Sequence, residues 1–498
     1  MFDYKGERFD IIIQAGQSNA WGCGFEPMPE LFADNDKSFF LNDDMSVVKA
    51  DCHEFDGIKF GDLSLSFAQK YAKNDLQIGR KLLIIRSAVG GTGFSDNRWN
   101  ETDDLFLQMI KMTKTALSFN PENRVIMLLW HQGETDACLN ASYENHYKNL
   151  SRLIELVKNE FNSPALPFIM GDFVFDWKKE HMEICEPVVN AIKDVCTNFG
   201  GSFVETSDLK SNREKSGIDD GDNNKIHFCN ESLYLLGLRY YEAYVRNQKY
   251  DIIIQAGQSN AEGWGVIVSP ELFTTNSFHR YYLFDGSIVP AAGWMNCGVH
   301  MGEFSYSFAQ KYAENDLKSD RKILTIRSAV GGTGFHDNRW TVTGDLYPQM
   351  IRMIKEALAL NPENRLVALL WHQGESECNV WDSKTHYEHL NNLVELVRKE
   401  FNVPDLPFVA GDFIEDWKIR EARDYAPIVE AIKGVCANVG GAFVETDGLE
   451  SNRENLKRIN YVPPEGFDMR EDIIHFCDKA LNKLGQRYYD AYKSILNK

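Results

Sequence analysis

The chain has 498 residues, of which 73 are acidic and 53 basic, giving a net charge of −20. Single hydrophobic cores stop growing at roughly 250–300 residues, so more than one domain is expected, and a strongly acidic surface argues against a nucleic-acid partner. The first residues lack the apolar core of a signal peptide, and no run reaches the roughly 20 apolar residues of a membrane span, so the sequence predicts a cytoplasmic protein with no membrane partner.

An internal duplication organises the chain. Residues 10–20 read Asp-Ile-Ile-Ile-Gln-Ala-Gly-Gln-Ser-Asn-Ala and return unchanged at 251–261. We therefore predict two related domains, 1–247 and 248–498. The junction at 245–250 contains no Gly, Ser or Pro to make it flexible, so the two domains are expected to pack against each other.

Strand and helix signals alternate along the first repeat. Short apolar runs that end at turn-forming residues predict buried strands at 10–14, 81–86, 125–130, 167–170 and 202–205. Apolar residues at helical spacing predict helices at 63–72, 105–117, 143–161, 186–198 and 232–245. This alternation predicts an α/β fold: a central parallel sheet of about five strands in flavodoxin-like order, covered by helices on both faces, in each of two tandem three-layer α/β/α domains.

Polar and small residues follow the first three strands. Ser18 follows the first strand, Gly90-Gly91 follows the second, and Gln132 with Glu134 follows the third. The carboxyl ends of parallel strands meet at one edge of a sheet, where ligands bind, so these residues are expected to converge. The second repeat places four matching residues in the same order: Ser259, Gly331, Gln373 and Glu375.

This set contains the parts of a serine hydrolase. A serine becomes nucleophilic when a nearby imidazole takes its proton, and His227 and His475 each lie in an Ile-His-Phe-Cys segment before the last helix of their repeat. Negative charge on a substrate oxygen needs donors, which the backbone N–H of Ser18, the Gly90-Gly91 turn and the Gln132 amide can supply. The alternative for Ser18 is a structural one, the capping of a short helix.

Four motifs in fixed order carry a family resemblance. They are Gly-Gln-Ser-Asn-Ala, Ala-Val-Gly-Gly-Thr with a following Asn-Arg-Trp, Trp-His-Gln-Gly-Glu, and a late Asp-x-x-His. Together they resemble the sialate O-acetylesterase-like branch of the SGNH hydrolases, which also contains bacterial acetylxylan esterases of carbohydrate esterase family six. The resemblance covers each repeat nearly end to end. It implies an acetylated carbohydrate substrate, hydrolysis through an acyl-enzyme, and no metal or other cofactor.

The resemblance also implies a role for each residue at the predicted edge. Ser18 and Ser259 are the implied nucleophiles, and His227 and His475 the implied bases. The implied oxyanion donors are Gly90, Gln132, Gly331 and Gln373, with Gly91 and Gly332 as the alternative glycines.

The two repeats differ in the acid that orients the histidine. Asp472 stands three residues before His475, but Asn224 takes that place before His227. An asparagine cannot act as the carboxylate, and the same change in a serine protease lowers kcat about 10⁴-fold through the wrong histidine tautomer. The second site is therefore expected to be the more active one, with Ser259→Ala removing most of the activity.

Two carboxylates are alternatives for orienting the histidine of the first repeat. One is Asp222, in an acidic loop, and the other is Glu134, whose counterpart is Glu375. We prefer Glu134, because some members of the resembled family are thought to use this motif glutamate in that way.

Two other functions stay open at this point. A pair of weakened hydrolase folds would bind carbohydrate without cleaving it. A hydrolase of other short-chain acyl esters is the second possibility, although loops rich in Trp, Asp and Asn argue against a lipase-like preference for long acyl chains.

Overall fold

A computed structural model describes residues 4–24, 29–32, 35–55, 58–216, 223–420 and 424–497. The chain divides into two compact units, Met1–Asn247 and Gln248–Lys498, called here the first and second repeat. No helix of the described segments is both long and apolar enough to cross a membrane. The predicted cytoplasmic location stays a prediction.

The described residues of the first repeat form nine strands. They are β1 (Arg8–Gly16), β2 (Ser38–Leu41), β3 (Val47–Lys49), β4 (His53–Phe55), β5 (Ile58–Phe60), β6 (Arg80–Ala88), β7 (Arg124–His131), β8 (Phe168–Gly171) and β9 (Ser202–Val204). Seven of them form one sheet in the order β3-β2-β6-β1-β7-β8-β9, and β4 and β5 form a separate pair. All neighbours in the large sheet run parallel except β3, which is antiparallel to β2.

The centre of this sheet is β1, which pairs with β6 on one side and β7 on the other. Ile11, Ile12 and Ile13 are all fully buried, as expected for a parallel strand covered on both faces. The α/β class and the five predicted strands are confirmed. The sheet is wider than predicted, because β2 and β3 arise from the segment between the first strand and the first predicted helix, where no strand was predicted.

Ten α-helices accompany these strands in the part of the repeat that the structure describes. They are α1 (Ser18–Trp21), α2 (Leu63–Asn74), α3 (Asp104–Ser118), α4 (Glu134–Cys138), α5 (Tyr143–Glu160), α6 (Phe175–Glu180), α7 (Met182–Phe199), α8 (Asn212–Ser216), α9 (Asn223–Ile226) and α10 (Asn230–Arg246). Asp62 caps α2 by accepting from the backbone N–H of Ser64, and α7 ends at Gly200, whose φ of 74° is left-handed. In packing, α2 pairs with α10 and α5 with α7.

The second repeat follows the same plan. Its strands are β10 (Tyr250–Gly257), β11 (Gly265–Val266), β12 (His279–Tyr282), β13 (Ile288–Pro290), β14 (Trp294–Asn296), β15 (Val299–Gly302), β16 (Lys322–Arg327), β17 (Arg365–His372), β18 (Phe408–Gly411) and β19 (Ala442–Val444). The seven-stranded sheet has the order β13-β12-β16-β10-β17-β18-β19, and a three-stranded sheet β11-β15-β14 is added. Its helices are α11 (Ser259–Glu262), α12 (Phe304–Asn315), α13 (Leu346–Ala359), α14 (Ser383–Glu400), α15 (Glu415–Arg420), α16 (Ala426–Asn438), α17 (Asn452–Arg458) and α18 (Asp478–Leu496).

Candidate active site

A glycine-dependent turn presents the serine at the end of each central strand. Gly16 has a φ of 132°, and a Cβ on it would lie 2.1 Å from the carbonyl oxygen of His131, so no side chain fits there. Ser18 then begins the one-turn helix α1, and the residue in the cap position is Gln17 rather than Ser18. The same turn, with Gly257 at a φ of 132°, precedes Ser259. The hydroxyl of Ser18 is thus not used as a helix cap.

In the first repeat the serine meets the predicted base. His227 Nε2 lies 2.9 Å from Ser18 Oγ, although the two residues are far apart in the chain. The segment that carries His227 is held by Asn19, whose Nδ2 donates to the carbonyl of Ile226 at 2.9 Å and whose Oδ1 accepts from the N–H of Phe228 at 3.1 Å. The residues on both sides of His227 are therefore fixed by the neighbour of the nucleophile.

Glu134 reaches this arrangement through Asn19. It is fully buried, accepts a 2.8 Å hydrogen bond from Asn19 Nδ2, and lies 3.5 Å from His131 Nε2. Burial alone would raise the pKa of Glu134, but the close His131 side chain and the hydrogen bond from Asn19 outweigh it and hold the pKa below its ordinary value. The glutamate is thus placed to position the His227 segment. Its role as the acid that orients His227 stays a prediction.

The other candidate for that acid is Asp222, near the position of Asn224. Asp222 is outside the described residues, and so is the side chain of Asn224.

In the second repeat the histidine contacts its predicted acid. His475 Nδ1 lies 2.9 Å from Asp472 Oδ2, which also accepts from Asn452 Nδ2 at 2.8 Å. Ser259 and His475 line the same cleft, but no hydrogen bond joins them among the described residues. The predicted Asp472–His475 pair is therefore present in a site whose serine and histidine are not hydrogen-bonded to each other.

Glu375 repeats the position of Glu134 in this second site. It accepts a 2.8 Å hydrogen bond from Asn260 Nδ2, and its contact with His372 Nε2 is longer, 3.8 Å. Burial raises the pKa of Glu375 to about 7, because the hydrogen bond from Asn260 offsets only part of the desolvation. Asn260 in turn bonds Ile474 and Phe476, the neighbours of His475.

Of the predicted oxyanion donors, the glycines lie beside the serines and the glutamines lie behind them. A Cβ on Gly90 would be 3.6 Å from Ser18 Cβ, and one on Gly331 would be 3.5 Å from Ser259 Cβ. Gln132 is buried, and its Nε2 donates to Asp136 Oδ2 at 2.7 Å. Gln373 makes the same contact with Glu377.

Gln17 lines the first cleft, and Gln258 lines the second. Gln17 Oε1 accepts from the N–H of Thr135 at 3.0 Å and lies 3.5 Å from Gln132 Nε2. The oxyanion role of Gln132 and Gln373 therefore stays a prediction, and it requires their amides to leave a buried carboxylate. Gln17 and Asn19 stand in the Gly-Gln-Ser-Asn-Ala motif, but the sequence alone predicts no role for them.

The two clefts differ in size and lining. The first has a volume of about 1170 Å³ and contains Ser18, His227, Gly90 and Trp21 among its lining residues. The second, of about 590 Å³, contains Ser259 and His475 and is also lined by Glu262 and Trp264. The position after Ser-Asn-Ala thus holds an exposed tryptophan in one site and a carboxylate in the other.

The fold and these sites define the class of protein. Two parallel α/β sheets, each with a serine and a histidine beyond the ends of its strands, are of the SGNH-hydrolase type. A sequence profile described as carbohydrate esterase, sialic acid-specific acetylesterase, matches residues 8–246 and again 249–494. The chain therefore belongs to this carbohydrate esterase family and carries two tandem copies of its domain.

Curated relatives match parts of the chain. The "Probable 9-O-acetyl-N-acetylneuraminic acid deacetylase" of Escherichia coli (strain K12) is 31% identical over 130 residues, which are 21% of this chain and 40% of the relative. A "Probable carbohydrate esterase" of Arabidopsis thaliana is 30% identical over 176 residues, 35% of this chain and 60% of the relative. The chain thus spans less than two thirds of the length of these relatives.

Two solved structures match about half of the chain at low sequence identity. NanS is 20% identical with a TM-score of 0.42, and the match covers 50% of this chain and 98% of NanS. A carbohydrate acetylesterase from Xanthomonas citri is 14% identical with a TM-score of 0.33, and the match covers 47% of this chain and 55% of that protein.

The hydrogen bonds of Asn19 lead to a first prediction. Asn19→Ala removes the two bonds that flank His227 and leaves the buried carboxylate of Glu134 without its donor. We expect a lower kcat with little change in KM, and a loss of about 1–3 kcal/mol in stability. Steady-state kinetics and urea unfolding measure the two effects. Asn260→Ala is the matched control: a similar loss of stability with little loss of kcat places the activity effect in the first site, whereas an effect of Asn19→Ala on KM alone would contradict the positioning role.

Proposed function

We propose that the chain is a serine hydrolase that removes O-acetyl groups from carbohydrates, with O-acetylated sialic acid as its preferred substrate. The observation that carries this proposal is the 2.9 Å contact between His227 Nε2 and Ser18 Oγ at the carboxyl edge of the sheet. The family profile matched by both repeats supports the choice of an acetylated sugar, and the relative from Escherichia coli supports the choice of sialate.

The proposed reaction begins with attack on the acetyl carbonyl carbon. Ser18 Oγ forms the new C–O bond while His227 Nε2 takes its proton, and the carbonyl oxygen becomes an oxyanion. The backbone N–H groups of Ser18 and Gly90 donate to that oxygen, with the Gln132 amide as the predicted third donor. Collapse of the intermediate breaks the bond to the sugar oxygen, which receives the proton from His227, and leaves an acetyl group on Ser18.

Water then releases the acetyl group. His227 removes a proton from water, the resulting hydroxide adds to the acetyl carbon, and acetate leaves as Ser18 recovers its proton from His227. The second repeat would use Ser259 and His475 in these roles, with Asp472 and Glu375 as its proposed orienting acids and Gly331 and Gln373 as its proposed donors. Glu134 has the corresponding role in the first repeat.

An exposed aromatic side chain at the first cleft also fits a sugar substrate. Trp21 is 37% exposed and lines the cleft, and its ring lies 4.0 Å from the ring of His53, which stacks on Phe60 at 5.0 Å. This short aromatic row holds the tryptophan in place while part of its surface faces the cleft. Apolar ring faces of this kind match the C–H faces of a sugar.

A panel of esters tests the proposed function. We expect hydrolysis of 9-O-acetyl-N-acetylneuraminic acid, and a kcat/KM for p-nitrophenyl acetate at least about tenfold above that for the octanoate, because each extra methylene must find space beside Ser18. Acetylated xylo-oligosaccharides form the comparison arm. Binding of sialic acid without hydrolysis of any ester would instead support the carbohydrate-binding alternative, and a preference for octanoate would contradict the acetylesterase.

A further inference from the structure

The residue three positions after the serine differs between the repeats. It is Trp21 in the first and Glu262 in the second, each at the end of a one-turn helix that starts with the serine. The surrounding motif is otherwise identical from the strand to the alanine before this position. A single substitution therefore brings a carboxylate next to one candidate nucleophile and not next to the other.

The carboxylate of Glu262 occupies a defined place in the second site. Its Oε2 accepts from the backbone N–H of Gly331 at 2.7 Å and from Trp264 Nε1 at 2.8 Å. A Cβ on Gly331 would lie 3.0 Å from this oxygen and 3.5 Å from Ser259 Cβ. The anion thus lies on the N–H group of a glycine that borders the serine, at the distance of a charge-assisted hydrogen bond.

Trp264 links this anion to the base. Its ring stacks with that of His475 at 5.4 Å between centroids and contacts the rings of Trp294 and Phe467 at 6.3 Å. One indole therefore bonds the Glu262 carboxylate through its N–H and covers the histidine with its face. The volume of the second cleft, 590 Å³ against 1170 Å³ in the first, agrees with a site that is partly filled by its own side chains.

We propose that Glu262 occupies the oxyanion site of the second repeat as an internal anion and thereby limits the reactivity of Ser259. This inference rests on the proposed function, because it takes the N–H of Gly331 as an oxyanion donor. A substrate carbonyl oxygen, which develops negative charge in the transition state, competes with a carboxylate that already holds the donor. The first repeat then has an open site, and the second has a site blocked by its own side chain. The residue that distinguishes them is Trp21 in the first and Glu262 in the second.

Labelling of the two serines tests the blocking role. The full chain is treated with a biotin-linked fluorophosphonate, and the labelling rates of Ser18 and Ser259 are followed by peptide mapping. We expect Glu262→Ala to raise the rate at Ser259 by about tenfold or more, since one oxyanion donor is worth about 10²–10³ in rate. The rate at Ser18 serves as the internal reference and is expected to stay constant.

Two further variants complete the test. Glu388→Ala removes an exposed carboxylate from α14 of the same repeat and is expected to leave both rates unchanged. Glu262→Gln keeps the size of the side chain and loses its charge, and a smaller increase in the labelling rate at Ser259 is expected. If Glu262→Ala unfolds at the assay temperature, Glu262→Gln is the variant that decides the test. An unchanged labelling rate at Ser259 in the folded Glu262 variants overturns the blocking role. Absence of labelling at Ser259 in all of these variants overturns it as well. Failure of Ser18 to label and of the chain to hydrolyse any ester refutes the proposed function instead.

Discussion

Replacement of Ser18 by alanine is expected to remove most of the acetylesterase activity of the chain. The first repeat combines an engaged Ser18–His227 pair with the larger cleft, whereas Glu262 covers the donor beside Ser259 in the second. The remaining activity is that of a site without one oxyanion donor, so kcat/KM should fall about 10²-fold. Hydrolysis of 9-O-acetyl-N-acetylneuraminic acid by the purified full chain measures this loss.

Ser259→Ala is the matched control for this prediction and should keep most of the activity. The order of the two effects is the reverse of the expectation from sequence, which rested on Asp472 alone. Equal losses from the two variants would mean that both repeats turn over substrate at similar rates. A larger loss from Ser259→Ala would restore the sequence-based order and would show that the carboxylate before the histidine matters more than the occupied donor.

The central strands could be predicted from sequence because both of their faces are buried. In β1, β6 and β7 the apolar residues are nearly continuous, and such runs identify a parallel strand without knowledge of its neighbours. The edge strands β2 and β3 lack this signal. Ser38–Leu41 is a four-residue segment, and its strand conformation depends on pairing with β6, a partner more than forty positions away in the register.

The candidate site was predictable to the extent that topology dictates it. Parallel strands bring their carboxyl ends to one edge, so Ser18 and Gly90 had to lie near each other once the strands were recognised. The hydrogen bonds within the site follow no such rule. The carboxylate of Glu262 accepts from the N–H of Gly331, 69 positions away in the chain, and no local pattern reports this tertiary contact.

The segment inserted near the end of the second repeat shows a related limit. Nothing in the local sequence of residues 455–466 marks Leu456 as a core residue. That residue is fully buried in a small cluster with Val266, Val299 and Met301, beneath the added three-stranded sheet. The insertion is anchored by a cluster that exists only because the neighbouring strands fold over it.

A second large effect is expected at the opposite end of the central strand, from Asp251→Ala. Asp251 is fully buried and accepts from Arg321 Nε and Arg365 Nε, each at 2.6 Å, and from the hydroxyl of Tyr312 at 2.7 Å. Alanine would leave the buried guanidinium of Arg321, whose side chain is only 8% exposed, without its carboxylate. Breaking a buried pair in this way costs about 3–5 kcal/mol.

Urea unfolding of the full chain measures the loss, because two domains can give two transitions and only that of the second repeat should shift. Asp10→Ala is the matched variant in the first repeat, where Asp10 accepts from Arg80 and Arg124 at 2.7 Å. Each variant should shift a different transition. A shift of both transitions by either variant would contradict independent unfolding of the repeats.

The pH dependence of this stability separates charge from packing. Burial alone would raise the pKa of Asp251, but hydrogen bonds from Arg365, Tyr312 and Arg321 outweigh it and lower the pKa in the folded chain. A carboxyl whose folded pKa lies below its unfolded value, about 3.9, stabilises the fold above that value and loses this contribution as the pH falls through the folded pKa. The stability difference between the unaltered chain and Asp251→Asn should therefore shrink from pH 6 towards pH 3. A difference that stays constant over this range would assign the effect to lost packing and hydrogen bonding, not to the charge of Asp251.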